Sequence, residues 1–253
     1  MSFRFAVVYE HENDFNTATE LADRVLCEKC EWARENITDY RQWIDKNRES
    51  LRLTWTGIKR SSKSTGVRAR GFFEDGPGQA DAIAARRALE YLLLEFDDTL
   101  DAVIFIRDQD DQPNRKLGLT QARNEHERSN QKPKVVIGFS IPEREAWVIS
   151  GFEPIDENEK SRLTSQHELL GFDPCVNSHR LTAGKDNTAT RSPKRVLRAL
   201  TNGDFDRERR CWNETDLSVL RQRGAENGLA NYLAEVQNHL ATLIGYDPRR
   251  SKT

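Results

Sequence analysis

Long apolar runs are missing from this chain of 253 residues. The longest, around Leu92–Leu94, Ala102–Ile106 and Val135–Ile137, are far too short to cross a bilayer, which excludes a helical membrane span. Cysteine is scarce as well. Cys27, Cys30, Cys175 and Cys211 are too few and too unevenly placed for a disulfide framework, and they suit a reducing compartment. An excess of one charge sign is also lacking, since 39 Lys plus Arg stand against 41 Asp plus Glu, a formal charge of −2. The molecule is therefore no bulk polycation, and any nucleic-acid contact must be local. The amino-terminal run Met-Ser-Phe-Arg-Phe-Ala-Val-Val-Tyr carries neither the apolar core nor the cleavage site of a signal peptide, so the expected location is the cytoplasm. Neither an internal repeat nor a low-complexity tract is visible.

What is present is the composition of a folded protein, with 36% hydrophobic and 32% charged residues and enough chain for one large domain or a core with an appendage. Phe3 to Tyr9 reads as a buried strand. Thr17 to Trp32, with Ala18, Leu21, Ala22, Val25 and Leu26 at helical spacing, reads as an amphipathic helix. A second helix is expected over Thr38 to Lys46, and a strand over Leu51 to Trp55. Residues 56 to 78, rich in Gly, Ser and basic side chains, are expected to form a long exposed loop. Helix Gln79 to Phe96, strand Asp101 to Arg107, helix Thr120 to Asn130 and strand Lys134 to Ile141 follow.

Strands that are apolar throughout and alternate with helices predict a Rossmann-like, doubly wound, mostly parallel α/β sheet over residues 1–150. Asn158 to Leu170, Pro193 to Leu200 behind Ser192, Asp216 to Arg221 and Leu229 to Ile244 are helical in pattern. Residues 151–253 are accordingly expected to be a helical extension packed on that core.

Ligands of an open parallel sheet bind beyond the carboxyl ends of its strands. Here those ends carry acids: Glu10 after the first strand, Asp108 and Asp110 after the third, Glu143 and Glu145 after the fourth. Acids after strands also cap helices and keep sheet ends soluble. Gathered carboxylates, however, repel one another and raise their own pKa values, and hard oxygen donors in that state select Mg2+ or Mn2+.

These residues carry a family resemblance. Val-Val-Tyr-Glu10-His-Glu-Asn-Asp14 resembles the first TOPRIM motif, a strand ending in Glu-Gly-x-x-Asp, and Ile-Phe-Ile-Arg-Asp108-Gln-Asp110 resembles that fold's Asp-x-Asp. Ile141-Pro-Glu-Arg-Glu145-Ala-Trp-Val-Ile resembles the Glu-Ala-Trp block of the TOPRIM-like DUF4276 proteins, relatives of the overcoming-lysogeny-defect nucleases. Ser192-Pro-Lys-Arg and Gly224-Ala-Glu-Asn-Gly-Leu229 extend the likeness along most of the chain. It implies a Mg2+- or Mn2+-dependent nuclease of the kind found in microbial anti-phage systems. Glu10 would be the acid/base carboxylate, Asp108 and Asp110 the metal ligands, and Glu145 a further ligand or its orienter. His11 replaces the motif glycine and puts a side chain into the crevice. With Asp14 and Glu143 it completes the list of further candidates.

Between Leu51 and Phe73 the chain holds Arg52, Lys59, Arg60, Lys63, Arg68 and Arg70 without an acid, flanked by Trp55, Phe72 and Phe73. On a loop these cations would contact phosphates and the rings would stack on bases, unless they merely solvate the surface. Lys185, Arg191, Lys194, Arg195 and Arg198 form a second basic group, partly at a helix start. Cys27-Glu-Lys-Cys30 has zinc-like spacing but no matching second pair, and helix packing explains it more simply. The expected activity is metal-dependent phosphodiester cleavage. The alternatives are a non-catalytic subunit that engages a partner such as an ATPase, or a phosphohydrolase of small molecules.

Overall fold

In the computed structural model, which describes residues 2–44, 53–74, 76–129, 132–182, 184, 186–247 and 249, the apolar runs become strands. In chain order these are β1 Phe3–Val8, β2 Arg41–Trp43, β3 Phe72–Phe73, β4 Gly76–Pro77, β5 Ala102–Asp108 and β6 Lys134–Ser140. The helices begin with α1 Glu12–Lys29, α2 Ile37–Tyr40, α3 Trp55–Ser64, α4 Ala82–Phe96 and α5 Arg115–Ser129. They continue with α6 Arg144–Ser150, α7 Glu157–Leu170, α8 Pro193–Thr201, α9 Phe205–Asn213, α10 Leu217–Arg223, α11 Leu229–Glu235 and α12 Thr242–Ile244. A π-helical stretch, Val236–Ala241, joins the last two.

The chain divides into two units. The first comprises Met1–Arg107, Gln112–Gly138 and Ala234–Thr253, and the second Asp108–Asp111 and Phe139–Leu233. Residue 150, where sequence placed the end of the core, lies inside the second unit.

The first unit carries a four-stranded, all-parallel sheet in the order β2-β1-β5-β6. Phe3 pairs with Arg41 on one side of β1, and Phe5 to Val8 pair with Ala102 to Phe105 on the other. Residues Ala102 to Ile106 are buried without alternation, as expected of a parallel strand covered on both faces. Helix α1 lays Phe15, Ala18, Leu21, Ala22, Val25 and Leu26 into this core. It begins five residues before the apolar stripe predicts, because Asp14 accepts from the His11 backbone N–H at 2.8 Å and closes a polar first turn.

Two expected elements are corrected. The region expected to be helix over Thr38 to Lys46 turns after Tyr40 into β2, where Trp43 packs on the Phe5 ring at 5.5 Å and Arg41 pairs with Asp23, and Asp45 and Lys46 lie outside the described residues. The expected exposed loop begins with α3. Thr54 caps that helix by accepting from Gly57 N–H at 3.0 Å, and Ile58 and Ser62 are buried while α3 packs on α4. Of the strand expected over Leu51 to Trp55, Leu51 and Arg52 lie outside the described residues. Leu53 and Trp55 bond the backbone of Tyr9 at 3.2 and 3.0 Å and lengthen the sheet edge there.

In the second unit helices surround α6, of which only Glu145 is not fully buried. Asp156, Ser192, Asp204 and Asp216 cap α7 to α10 through their side chains, each accepting from a first-turn N–H. Asn227, fully buried, holds α6 from below. Its amide donates to Ala146 O, Ser150 Oγ and Ser178 Oγ at 2.7–3.0 Å, and its carbonyl accepts from Ile141 N and Trp147 Nε1 at 2.9 Å. The neighbouring Gly228 has φ +89°, and a Cβ there would stand 1.9 Å from the Phe139 carbonyl oxygen. Gly228→Ala should therefore destabilise the fold by about 3 kcal/mol, from backbone strain plus the clash. A urea midpoint equal to wild type would refute this close approach.

Candidate functional site

Two polar side chains, its own and that of Ser140, and one backbone N–H fix Asp108, the last residue of β5, within the second unit. Asp108 Oδ1 accepts from Ser140 Oγ, at the end of β6, and from Arg144 N at 3.0 Å, the first N–H of α6. The exit turns are tied as well, since Gln109 N donates to Ser140 O at 2.9 Å and Asp110 N to Pro142 O at 3.0 Å. Asp110 sits at φ +49°, a left-handed conformation that a short polar side chain tolerates. Because α6 starts where Asp108 receives it, the N-cap Glu143 and the second helical residue Glu145 are delivered to the same end of the unit.

These acids interact with one another and with cations. Glu143, 4% exposed, binds Lys194 Nζ at 2.7 Å. Burial pushes the Glu143 carboxyl up, Lys194 opposes that, and Glu145 and Asp110 add to it. Lys194 is itself raised. Desolvation works against its charge, but the Glu143 hydrogen bond and the charges of Glu145, Glu143 and Asp108 outweigh it. Arg144 reaches Glu145 at 3.4 Å and Glu208 at 3.9 Å. Burial raises Glu208, against the pull of Arg144. Asp108, Asp110, Glu143, Glu145 and Glu208 thus act on one another or on Lys194 and Arg144 at this end of the unit.

The first unit holds a second charged group where the sheet order changes direction, between β1 and β5. Arg107 bonds Glu10 through Nη1 and Asp81 through Nε at 2.6 Å, while Arg115 Nε lies 3.3 Å from the same Asp81 oxygen. Trp55 donates to Ile106 O at 2.9 Å and lies 5.4 Å from the Arg107 guanidinium. Here acids and bases alternate and cancel. Glu10 is thus held by a cation, not by other acids.

The remaining candidates fall out as follows. His11 is the exposed N-cap of α1, and Asp14 is spent on the helix start described above. Lys59, Arg60 and Lys63 are exposed on α3, and Arg68 and Arg70 are exposed in the stretch after it, so the first three belong to a helix and not to the expected loop. Lys194 is engaged by Glu143, and Arg195 donates to Gln166 Oε1 and Thr190 O at 3.0 and 3.2 Å. Lys185 and Arg52 lie outside the described residues. Cys30 is buried with its thiol 3.9 Å from Ala241 O, which is packing. Cys211 is pushed up to about 12 by burial, far from a thiolate nucleophile.

Within either unit, among the described residues, no group of three or more His, Cys, Asp or Glu side chains is gathered closely enough to cage a metal ion. Mg2+ does not require one. It commonly uses one or two protein carboxylates, with waters and substrate phosphate completing its shell. The donor chemistry of the acidic group fits a hard cation on those terms.

Sequence reading missed Arg107, Asp81, Arg144, Glu208 and Asn227. A signal for two of them was present, because Arg107-Asp108 and Glu143-Arg144-Glu145 alternate sign within the motifs themselves. Comparison of the chain with protein-family models, with curated proteins and with solved structures returns no match in any of the three.

The Glu143–Lys194 pair yields a signed pH dependence. A glutamate raised in the folded state contributes stability below its unfolded pKa that is lost as pH climbs through the folded value. Lys194→Met removes the main influence lowering Glu143 and lifts it further. The variant should lose more stability at about pH 8 than at about pH 5, and adding Glu143→Gln should abolish that difference. Urea midpoints at the two pH values measure it, and equal losses would exclude the coupling.

Proposed function

We propose that this chain is a TOPRIM-like, Mg2+- or Mn2+-dependent phosphodiesterase of nucleic acids, with its chemical centre at Asp108, Asp110, Glu143 and Glu145. The gathering of carboxyl groups at the carboxyl end of β5 and β6, anchored by Asp108 on Ser140 and Arg144 and close enough for Glu145 and Asp110 to raise Glu143, carries this reading. One or two of the carboxylates Asp108, Asp110 and Glu145 would hold the cation, with water and substrate phosphate completing its shell, and it would neutralise non-bridging phosphate oxygens and activate a water. Lys194, half exposed, meets the phosphate as a point charge. Glu143 holds its proton to higher pH than an ordinary glutamate and supplies it to the departing oxygen as the bond to phosphorus breaks. Glu10 takes no chemical step in this scheme, since its charge is met by Arg107.

One observation favours a second reading, a non-catalytic binding subunit. Lys194 and Arg144 already pair with the acids, as in a centre kept only for its fold.

Incubation with plasmid and single-stranded substrates, in Mg2+, Mn2+ or EDTA, separates the two readings. Cleavage should need the cation and fall by about a hundredfold or more in Asp108→Asn and in Glu143→Gln. Glu143→Gln should also flatten the alkaline limb of the pH profile. Glu10→Gln should keep most of the activity, and an equal collapse there would return Glu10 to the centre. Cleavage that persists in EDTA or in Asp108→Asn would eliminate the metal assignment, and none in any condition would favour the binding subunit.

A further inference from the structure

A cleft of about 480 Å3 lies in the first unit, lined by α4, α5 and the stretch from Arg68 to Phe72. It has no part in the acidic centre. Its base is apolar, with Leu89, Leu93 and Ala122, and its volume falls in the range that encloses one small ligand. Arg68 and Arg70 line it and are exposed, and Phe72 presents an aromatic ring that is 71% exposed.

That lining is built, not incidental. Arg86, only 9% exposed, donates to Phe72 O at 2.9 Å and to Arg70 O, pairs with Glu125, and lies 3.6 Å from the Phe73 ring. A buried guanidinium thus clamps the backbone of residues 70–72 while Phe73 is tucked in. Strand alternation then turns Phe72 outward. Leaving a large aromatic ring in water beside two arginines, on a backbone held in place, is the arrangement that stacks a flat π system and meets a phosphate.

Glu90 and Glu125 also line the cleft, and since Arg86 takes up the charge of Glu125, Glu90 is the carboxylate that discriminates among ligands. A carboxylate inside would repel a second phosphate but accept a hydrogen bond from an exocyclic amine. The ligand is therefore one base inside and its phosphate at the exposed arginines. A duplex cannot supply it, since paired bases keep their faces and amino groups within the stack. Beyond the cleft, α3 packs on α4 through its Ile58 and Ser62 side and leaves Lys59, Arg60 and Lys63 exposed. Those cations offer a continuing strand further phosphate contacts that a free mononucleotide would not use.

We propose that this cleft binds an unpaired, amino-bearing base of a single-stranded nucleic acid, stacked on Phe72 with its phosphate at Arg68 and Arg70. The inference rests on reading the chain as a nucleic-acid protein, and not on the chemistry at Asp108.

Fluorescence anisotropy of labelled oligo-dC, oligo-dT and a duplex of about twelve nucleotides, with cytidine monophosphate as competitor, tests it in EDTA with Asp108→Asn protein, so that cleavage plays no part. Oligo-dC should bind tightest, several-fold better than oligo-dT. Phe72→Ala should weaken it by about tenfold, Phe72→Trp should restore it, and Arg68→Ala with Arg70→Ala should lower the slope of affinity against salt. Because Phe72 is mostly in water, its replacement leaves the fold intact, which an unchanged urea midpoint verifies. Unchanged oligo-dC affinity in Phe72→Ala, tighter binding of duplex or oligo-dT, or full competition by the mononucleotide at equal concentration would each overturn the proposal. Binding as expected in a protein that never cleaves would reject the chemistry at Asp108 and leave the cleft standing, and the reverse result would do the opposite.

Discussion

The carboxylate of Asp108 sets the geometry on which the candidate chemistry depends. It terminates β5, accepts the hydroxyl of Ser140 as β6 ends, and receives the first N–H of α6 from Arg144. An anion at a helix N-terminus is favoured by the unpaired N–H groups and by the helix dipole, so one carboxylate ties the ends of two strands to the start of a helix. The start of α6 decides where Glu143 and Glu145 emerge. From the other side Asn227 fixes the same helix through Ala146, Ser150 and Trp147, leaving α6 little freedom to slide or turn. Positioned acids on a fixed helix are what a preorganised centre needs, because groups already in place lose little entropy when a substrate arrives.

The two charged groups at the carboxyl ends of the strands obey different electrostatics. Glu10 and Asp81 face Arg107 and Arg115 in alternation, and such a set is near neutral and gains most from being left alone. Around Glu143 burial outweighs pairing, since the Glu143 and Glu208 carboxyls are raised by desolvation although Lys194 and Arg144 oppose it. A buried acid raised in spite of its partner adds little to stability, since a well-packed apolar side chain would serve better there. Perturbed acids of this sort cluster where protons or cations are handled. The same logic separates Glu143 from Glu159, which is lowered chiefly by its hydrogen bond to Arg207 in a two-oxygen pairing at 2.8 Å and is a structural ion pair.

Much of the sheet was legible in the sequence because its strands are apolar throughout. Phe3 to Tyr9, Ala102 to Ile106 and Lys134 to Ile141 can hardly be anything but covered strands, and three of the four sheet positions follow from them. The parallel arrangement follows too, from the helices between. Failure came where tertiary contact overrode local composition. The segment Trp-Thr-Gly-Ile-Lys-Arg-Ser-Ser-Lys-Ser reads as a loop by its Gly and Ser, yet a Thr54 cap and two buried positions, Ile58 and Ser62, suffice to make it α3. Helix α9 was invisible for a related reason. Phe-Asp-Arg-Glu-Arg-Arg-Cys-Trp-Asn has a charged majority, and its buried face includes Arg207, whose charge is met by Glu159 from a distant helix.

The site shows the same boundary between what a pattern can and cannot report. Periodicity tells whether a position is covered, and acids at strand ends mark where a polar crevice can open, so Glu10, Asp108, Asp110, Glu143 and Glu145 could be named as candidates from position. Pairing is another matter, because the partner of a charge is selected by the fold across long separations. Glu143 meets Lys194 and Glu10 meets Arg107, spans over which sequence spacing carries no information. Yet the partners were not wholly hidden. Arg144 lies between two acids and Arg107 directly precedes one, and strand and helix geometry send neighbouring side chains in different directions. Arg144 pairs with its own neighbour Glu145 as well as with Glu208, whereas Arg107 is turned to other acids than the one beside it. That is how Arg107 comes to hold Glu10 and Asp81 while Asp108, the next residue, is turned to Ser140 and α6.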